Sequence, residues 1–171
     1  MIRVIKVNSN NQNKPLPKRS LGREYAFKFI YKHLLADFED EKSALVTDPR
    51  ALESALNLFD QSYNEEDSEH PDNKIDMHTK TFAKELIVGS LQQEKENSQL
   101  IEKFLSNGNL QKVDRMNLAV LLLGAYEILN DKKTSPGVFI NEYVNLSKKY
   151  CPNESHGFIN SVLDKLSKEH A

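Results

Sequence analysis

Tyr25, Phe27, Phe29 and Tyr31 alternate with Arg23, Lys28 and Lys32 near the N-terminus of the 171-residue chain. Aromatic rings stack on splayed bases and cations neutralise phosphates, so interleaving the two is one way to hold single-stranded RNA. Aromatics at three- and four-residue spacing equally suit a helix that buries them in a core, and Phe27 and Phe29 fit that use better. Tyr31 is open to both. The cations best suited to phosphate contact are Lys18, Arg19 and Arg23.

Other chemistries find little to work with. The five histidines, at 33, 70, 78, 156 and 170, form neither His-x-x-x-His nor any metal-ligand grouping with carboxylates. A single cysteine, Cys151, cannot close an internal disulfide, and there is no Cys-x-x-Cys pair to bind zinc. No Gly-rich phosphate loop or Gly-x-Ser-x-Gly elbow is present, and the adjacency of Ser155 and His156 does not make a nucleophile and base. The expectation is a protein that is not an enzyme and needs neither metal nor cofactor.

The net charge is only −2, so overall charge does not argue for nucleic acid. Its distribution is uneven. From Met1 to Lys32, the cations Arg3, Lys6, Lys14, Lys18, Arg19, Arg23, Lys28 and Lys32 face Glu24 alone, whereas from Asp37 to Asn73 twelve acids face only Lys42 and Arg50. A basic segment of this kind can release condensed counterions from a nucleic-acid backbone, or it can be a solvated tail.

The elements that must position these residues read as helices. Hydrophobic content of 39% and charged content of 28% suit one globular domain with a single core. There is no apolar run of the ~18 or more residues a membrane span needs, and no leader-like start, so a soluble, cytoplasmic protein without membrane contact is expected. Residues 1–17, with an Asn-rich stretch and the Pro15-Leu16-Pro17 break, read as a flexible arm ahead of one domain over 18–171. An amphipathic pattern from Lys18 to about Phe38 predicts the first helix, and Asp48-Pro49 opens a second that runs to about Tyr63. Residues 64–73 read as a polar connection. Lys74 to about Ser106 fits one long helix or two broken near Asn97, stopped by Asn107-Gly108-Asn109. The strongly apolar run from Val113 to Leu129 suits a helix surrounded by others. Ser135-Pro136 starts a helix to Tyr150, and Glu154 to Lys168 makes the last. The class is all-α, a compact bundle of about six to seven helices.

The C-terminal half carries a sequence of blocks: Asp114-Arg115; Leu123-Gly124-Ala125-Tyr126-Glu127; Pro136 with Val138-Phe139-Ile140-Asn141-Glu142; and Glu154-Ser155-His156-Gly157-Phe158-Ile159-Asn160-Ser161-Val162-Leu163-Asp164-Lys165. Their order and spacing resemble the NusB family of transcription antitermination factors. The stretch Lys18-Arg19-Ser20-Leu21-Gly22-Arg23-Glu24-Tyr25-Ala26, continuing to Tyr31, resembles that family's arginine-rich first helix. Two departures stand out: Ser20, Leu21 and Gly22 dilute the arginines, and Gly157 follows Ser-His where the family often has Lys. The arm before Pro15 and the acidic insertion around residues 64–72 also set the chain apart.

The resemblance implies two packed helical sub-bundles and a role in ribosomal RNA transcription. It implies binding of boxA-type RNA together with the ribosomal protein NusE, in the service of the RNA polymerase elongation complex, with a homodimer as an alternative assembly. It places RNA contact on Lys18, Arg19, Arg23, Phe158 and Asn160, to which the aromatic pattern adds Tyr31, and the protein partner at Glu127, Asn141 and Glu142. From the residues alone, Asn141 and Glu142 can equally hydrogen-bond neighbouring helices, and Asp114-Arg115 reads as an ion pair holding its helix. Two other functions use the same fold. One is an accessory RNA-binding domain, of the kind joined to RNA cytosine methyltransferases, whose catalysis is expected to require another chain. The other is a protein-interaction module without RNA, whose binding would respond much less to salt.

Overall fold

The computed structural model describes residues 18–36, 39–66 and 75–170, and among them it contains helices and no strand. Apolar and aromatic residues at three- and four-residue spacing build α1 (Arg19–Leu35), which ends before the predicted Phe38. Next comes α2 (Glu39–Thr47), which periodicity did not reveal. Its start is Glu39-Asp40-Glu41, acids that suit the positive end of a helix dipole, and it buries no residue, so it carries no core stripe to read. The helix α3 (Pro49–Glu66) opens as its sequence predicts: Pro49 takes the first position and the Asp48 carboxylate accepts the Arg50 amide at 2.9 Å.

The long pattern after residue 74 forms two helices, α4 (Met77–Gln92) and α5 (Glu94–Lys103). The break falls at Gln93 rather than near Asn97. Asn97 is buried inside α5, and its amide donates to the Gln93 carbonyl at 2.8 Å. At Gly108 the backbone enters the left-handed region with φ +57°, ending this half of the chain. A short 3-10 turn, Leu110–Lys112, leads to α6 (Arg115–Asn130), then α7 (Pro136–Tyr150) and α8 (Ser155–His170). The eight α-helices among the described residues slightly exceed the six to seven expected, and α2 and the α4–α5 break account for the difference. Pro136 starts α7 as predicted, but the Ser135 side chain makes no capping bond. The arm at 1–17 lies outside the described residues. So does most of the connection at 64–73, although its first residues, 64–66, finish α3.

The helices pack as two bundles. α1 to α4 form the first, where Phe59 of α3 meets Tyr25 at 4.9 Å and Phe29 at 5.3 Å, both edge to face. Such pairs contribute roughly 0.5–1.5 kcal/mol beyond burial. α5 to α8 form the second. α6 joins them, packing on α1, α4, α5, α7 and α8, which explains why Leu118 to Ala125 are all buried. Glycine lets two helices approach closely at Gly89, where a Cβ would lie 2.1 Å from the Tyr126 ring and hydroxyl.

Candidate nucleic-acid interface

The start of α1 is fastened on three sides. The Lys18 amide donates to Thr79 Oγ1 at 2.9 Å, and the Asp76 carboxylate that caps α4 accepts the Thr79 amide at 2.8 Å. Gly22 lies against the Phe82 ring of α4, which a Cβ would approach to 2.6 Å. The Ser20 hydroxyl donates to Glu142 Oε2 at 2.7 Å on α7. Ser20 and Gly22, which dilute the basic run in sequence, therefore have structural work: one bonds α7 and the other admits α4. Lys18 and Arg19 remain exposed, with the Arg19 guanidinium 5.3 Å from the centre of the Phe82 ring.

Arg23 is different. Its side chain is 5% exposed and forks onto Glu127, Nε to Oε2 at 2.7 Å and Nη2 to Oε1 at 2.9 Å, while Nη1 reaches Glu142 at 3.2 Å. The Tyr143 hydroxyl donates to Glu127 Oε2 at 2.6 Å. Burial opposes the guanidinium charge, but the hydrogen bonds and negative charge of Glu127, with Tyr143 and Glu142 adding, leave its pKa above the ordinary value. Burial, with Glu127 beside it, pushes the Tyr143 hydroxyl well above its usual pKa. Arg23, expected at the RNA surface, and Glu127, expected on the side of a protein partner, are instead buried against each other.

The other residues expected in the site are spread over three elements. Tyr31 is partly buried, its ring stacked on Phe27 at 6.2 Å, whereas Phe27 and Phe29 belong to the core. Glu142 is partly buried against Ser20 and Arg23, and Asn141 beside it is exposed. On α8, Phe158 packs at the edge of the core and Asn160 is exposed; α8 rests on α6 and α7. A side chain at Gly157 would meet open space. Asp114 caps α6, accepting the amides of Met116 at 2.9 Å and Asn117 at 3.3 Å, in place of the ion pair expected with Arg115. Among the described residues no group of three or more His, Cys, Asp or Glu could hold a metal ion, and no helix is long and apolar enough to cross a membrane.

Sequence reasoning missed that Arg23 is an internal anchor, although one signal was present. Glu127 is the only acid in the apolar run from Met116 to Leu129, and a carboxylate on a helix enclosed by others needs a buried cationic partner.

These features define an all-helical, two-bundle protein organised around one enclosed helix, with an exposed basic corner at the start of α1. The chain belongs to the NusB family, whose family model matches residues 20–168. Among curated relatives, the transcription antitermination protein NusB of Clostridium tetani is 32% identical over 158 residues, 89% of this chain and 99% of that protein. The protein of the same name from Thermodesulfovibrio yellowstonii is 29% identical over 153 residues, 89% and 93% of the two chains. Among solved structures, NusB from T. maritima superposes with a TM-score of 0.69 at 24% identity, covering 92% of this chain and 95% of that one. A crystal structure of the antitermination factors NusB and NusE in complex with double-stranded RNA gives a TM-score of 0.65 at 24% identity, covering 88% and 96%. These structural likenesses bear on the fold.

Proposed function

We propose that this protein is a transcription antitermination factor. It binds boxA-type RNA in nascent ribosomal transcripts jointly with the ribosomal protein NusE and acts on the RNA polymerase elongation complex. The observation that carries the reading is the exposed basic corner, Lys18 and Arg19, on a chain of a family whose curated members bear that function in their name. The two cations hold phosphates, while Phe158 and Asn160 of α8 offer a ring edge and an amide suited to a base. Tyr31 and Asn141 remain accessible enough to serve RNA or the protein partner. Glu142 acts from behind, fixing Ser20 beside the cations. A homodimer that covered α1 would compete with RNA, and sedimentation over a concentration series reports it.

The test is a titration of labelled boxA-type RNA into the protein with and without NusE. Tighter binding in the presence of NusE is the expected result. Binding to NusE with no affinity for RNA in either case moves the protein to the interaction-module reading.

A further inference from the structure

We propose that the loop between α6 and α7 supplies a second pair of cations, Lys132 and Lys133, to the phosphate-binding surface that Lys18 and Arg19 begin. The inference rests on the RNA-binding reading above and extends it to a separate element.

Register brings the loop to that surface. Arg23 of α1 meets Glu127 of α6 through two hydrogen bonds. Arg19 lies one turn before Arg23 and Asp131 one turn after Glu127, so both flank the same α1–α6 contact. The electrostatics agree. Asp131 is held below its ordinary pKa first by the Lys133 amide and the Thr134 hydroxyl, and the positive charge of Arg19 contributes.

Asp131 also shapes the loop. Its Oδ1 accepts the amides of Lys133 at 2.8 Å and Thr134 at 3.1 Å, and its Oδ2 accepts the Thr134 hydroxyl at 2.9 Å. This carboxylate is therefore occupied as a turn staple. Lys132 and Lys133 are both exposed. Lys132 Nζ donates to the His170 carbonyl at 3.1 Å, which ties the loop to the end of α8 without cancelling the charge. Glu142, another acid at this corner, already serves Ser20 and Arg23. Asp76, the carboxylate nearest Lys18, is likewise engaged as the cap of α4, so the exposed cations Lys18, Arg19, Lys132 and Lys133 stand beside acids that already have partners, an arrangement suited to a polyanion.

Lys133→Ala and the double variant Lys132→Ala/Lys133→Ala test this, with exposed Lys103 of α5 replaced by Ala as the control. The probe is labelled boxA-type RNA across a salt series, and thermal melts verify folding. Each phosphate contact contributes roughly 0.7–0.9 to the slope of log affinity against log salt, so a fourfold rise in salt costs about threefold per contact. Lys133→Ala should weaken binding at low salt and remove about threefold of that dependence, the double variant more, with NusE affinity unchanged and Lys103→Ala like the wild type. If both loop variants keep the wild-type slope while Lys18→Ala/Arg19→Ala flattens it, α1 alone holds the phosphates and this inference falls. A wild type that binds no RNA at any salt overturns the parent reading as well.

Discussion

Arg23 and Glu127 face each other across the α1–α6 contact as a two-bond fork, at 2.7 and 2.9 Å, with side chains only 5% and 6% exposed. The guanidinium is further enclosed by the rings of Phe82, Phe139 and Tyr143, 5.6 to 6.0 Å from their centres. The pair joins the first bundle to the central helix and fixes the position of Arg19, one turn away. Removing one partner leaves a buried charge with no counterpart, whereas replacing both by apolar groups leaves none. Arg23→Ala should therefore cost about 3–5 kcal/mol in urea unfolding, and Arg23→Met/Glu127→Leu should recover most of it. A loss below about 1 kcal/mol for the single variant would mean that the pair is solvated.

At Gly89 the conflict is steric. A methyl group there would overlap the Tyr126 ring and hydroxyl at 2.1 Å, so α4 and α6 must separate or the ring must leave its place. Gly89→Ala should destabilise by about 1–3 kcal/mol despite the better helix propensity of alanine. Pairing it with Tyr126→Ala should restore part of the loss, as a double-mutant cycle by chemical denaturation will report.

Cys151 is buried after α7, and burial, with the charge of Asp114 adding, pushes its thiol up to about 11. The reactive thiolate is thus scarce at neutral pH, and alkylation of the folded protein should be much slower than in urea. Because the folded pKa lies above the unfolded one, this group's contribution to stability is complete below about 8.5–9 and is lost as pH rises towards 11. Buried Tyr143, also raised, acts in the same direction. Unfolding midpoints measured from pH 7 to 11 should fall through that window, and Cys151→Ser should flatten part of the decline.

The cap of α6 gives a smaller effect. Asp114 satisfies two amides at the first turn of the central helix, and Asp114→Ala should cost about 1 kcal/mol, read as a lower thermal midpoint, with Asp114→Asn close to the wild type.

The sequence revealed elements wherever burial imposed a period or a turn imposed a residue type. α3 began at Pro49, α6 was recognisable from its apolar run, and α7 began at Pro136. α2 escaped notice because it buries nothing, and the α4–α5 break was expected a turn late, near Asn97, because Gln93 carries no breaker chemistry. Of the candidate site, the exposed cations Lys18 and Arg19 could be read directly from the chain. Arg23 could not be told apart from them, since its burial depends on Glu127, 104 residues away. The roles of Ser20 and Gly22 were hidden for the same reason: a bond to Glu142 and a ring at Phe82 exist only in the folded chain.

The exposed cations of α1 are proposed to bind RNA phosphates. The most direct test compares the wild type with Lys18→Ala/Arg19→Ala, leaving Arg23 intact so that folding is preserved, in binding labelled boxA-type RNA with NusE across a salt series. The variant should bind more weakly, with a salt slope shallower by about 1.4–1.8. An unchanged slope and affinity, with the wild type binding RNA normally, would contradict it.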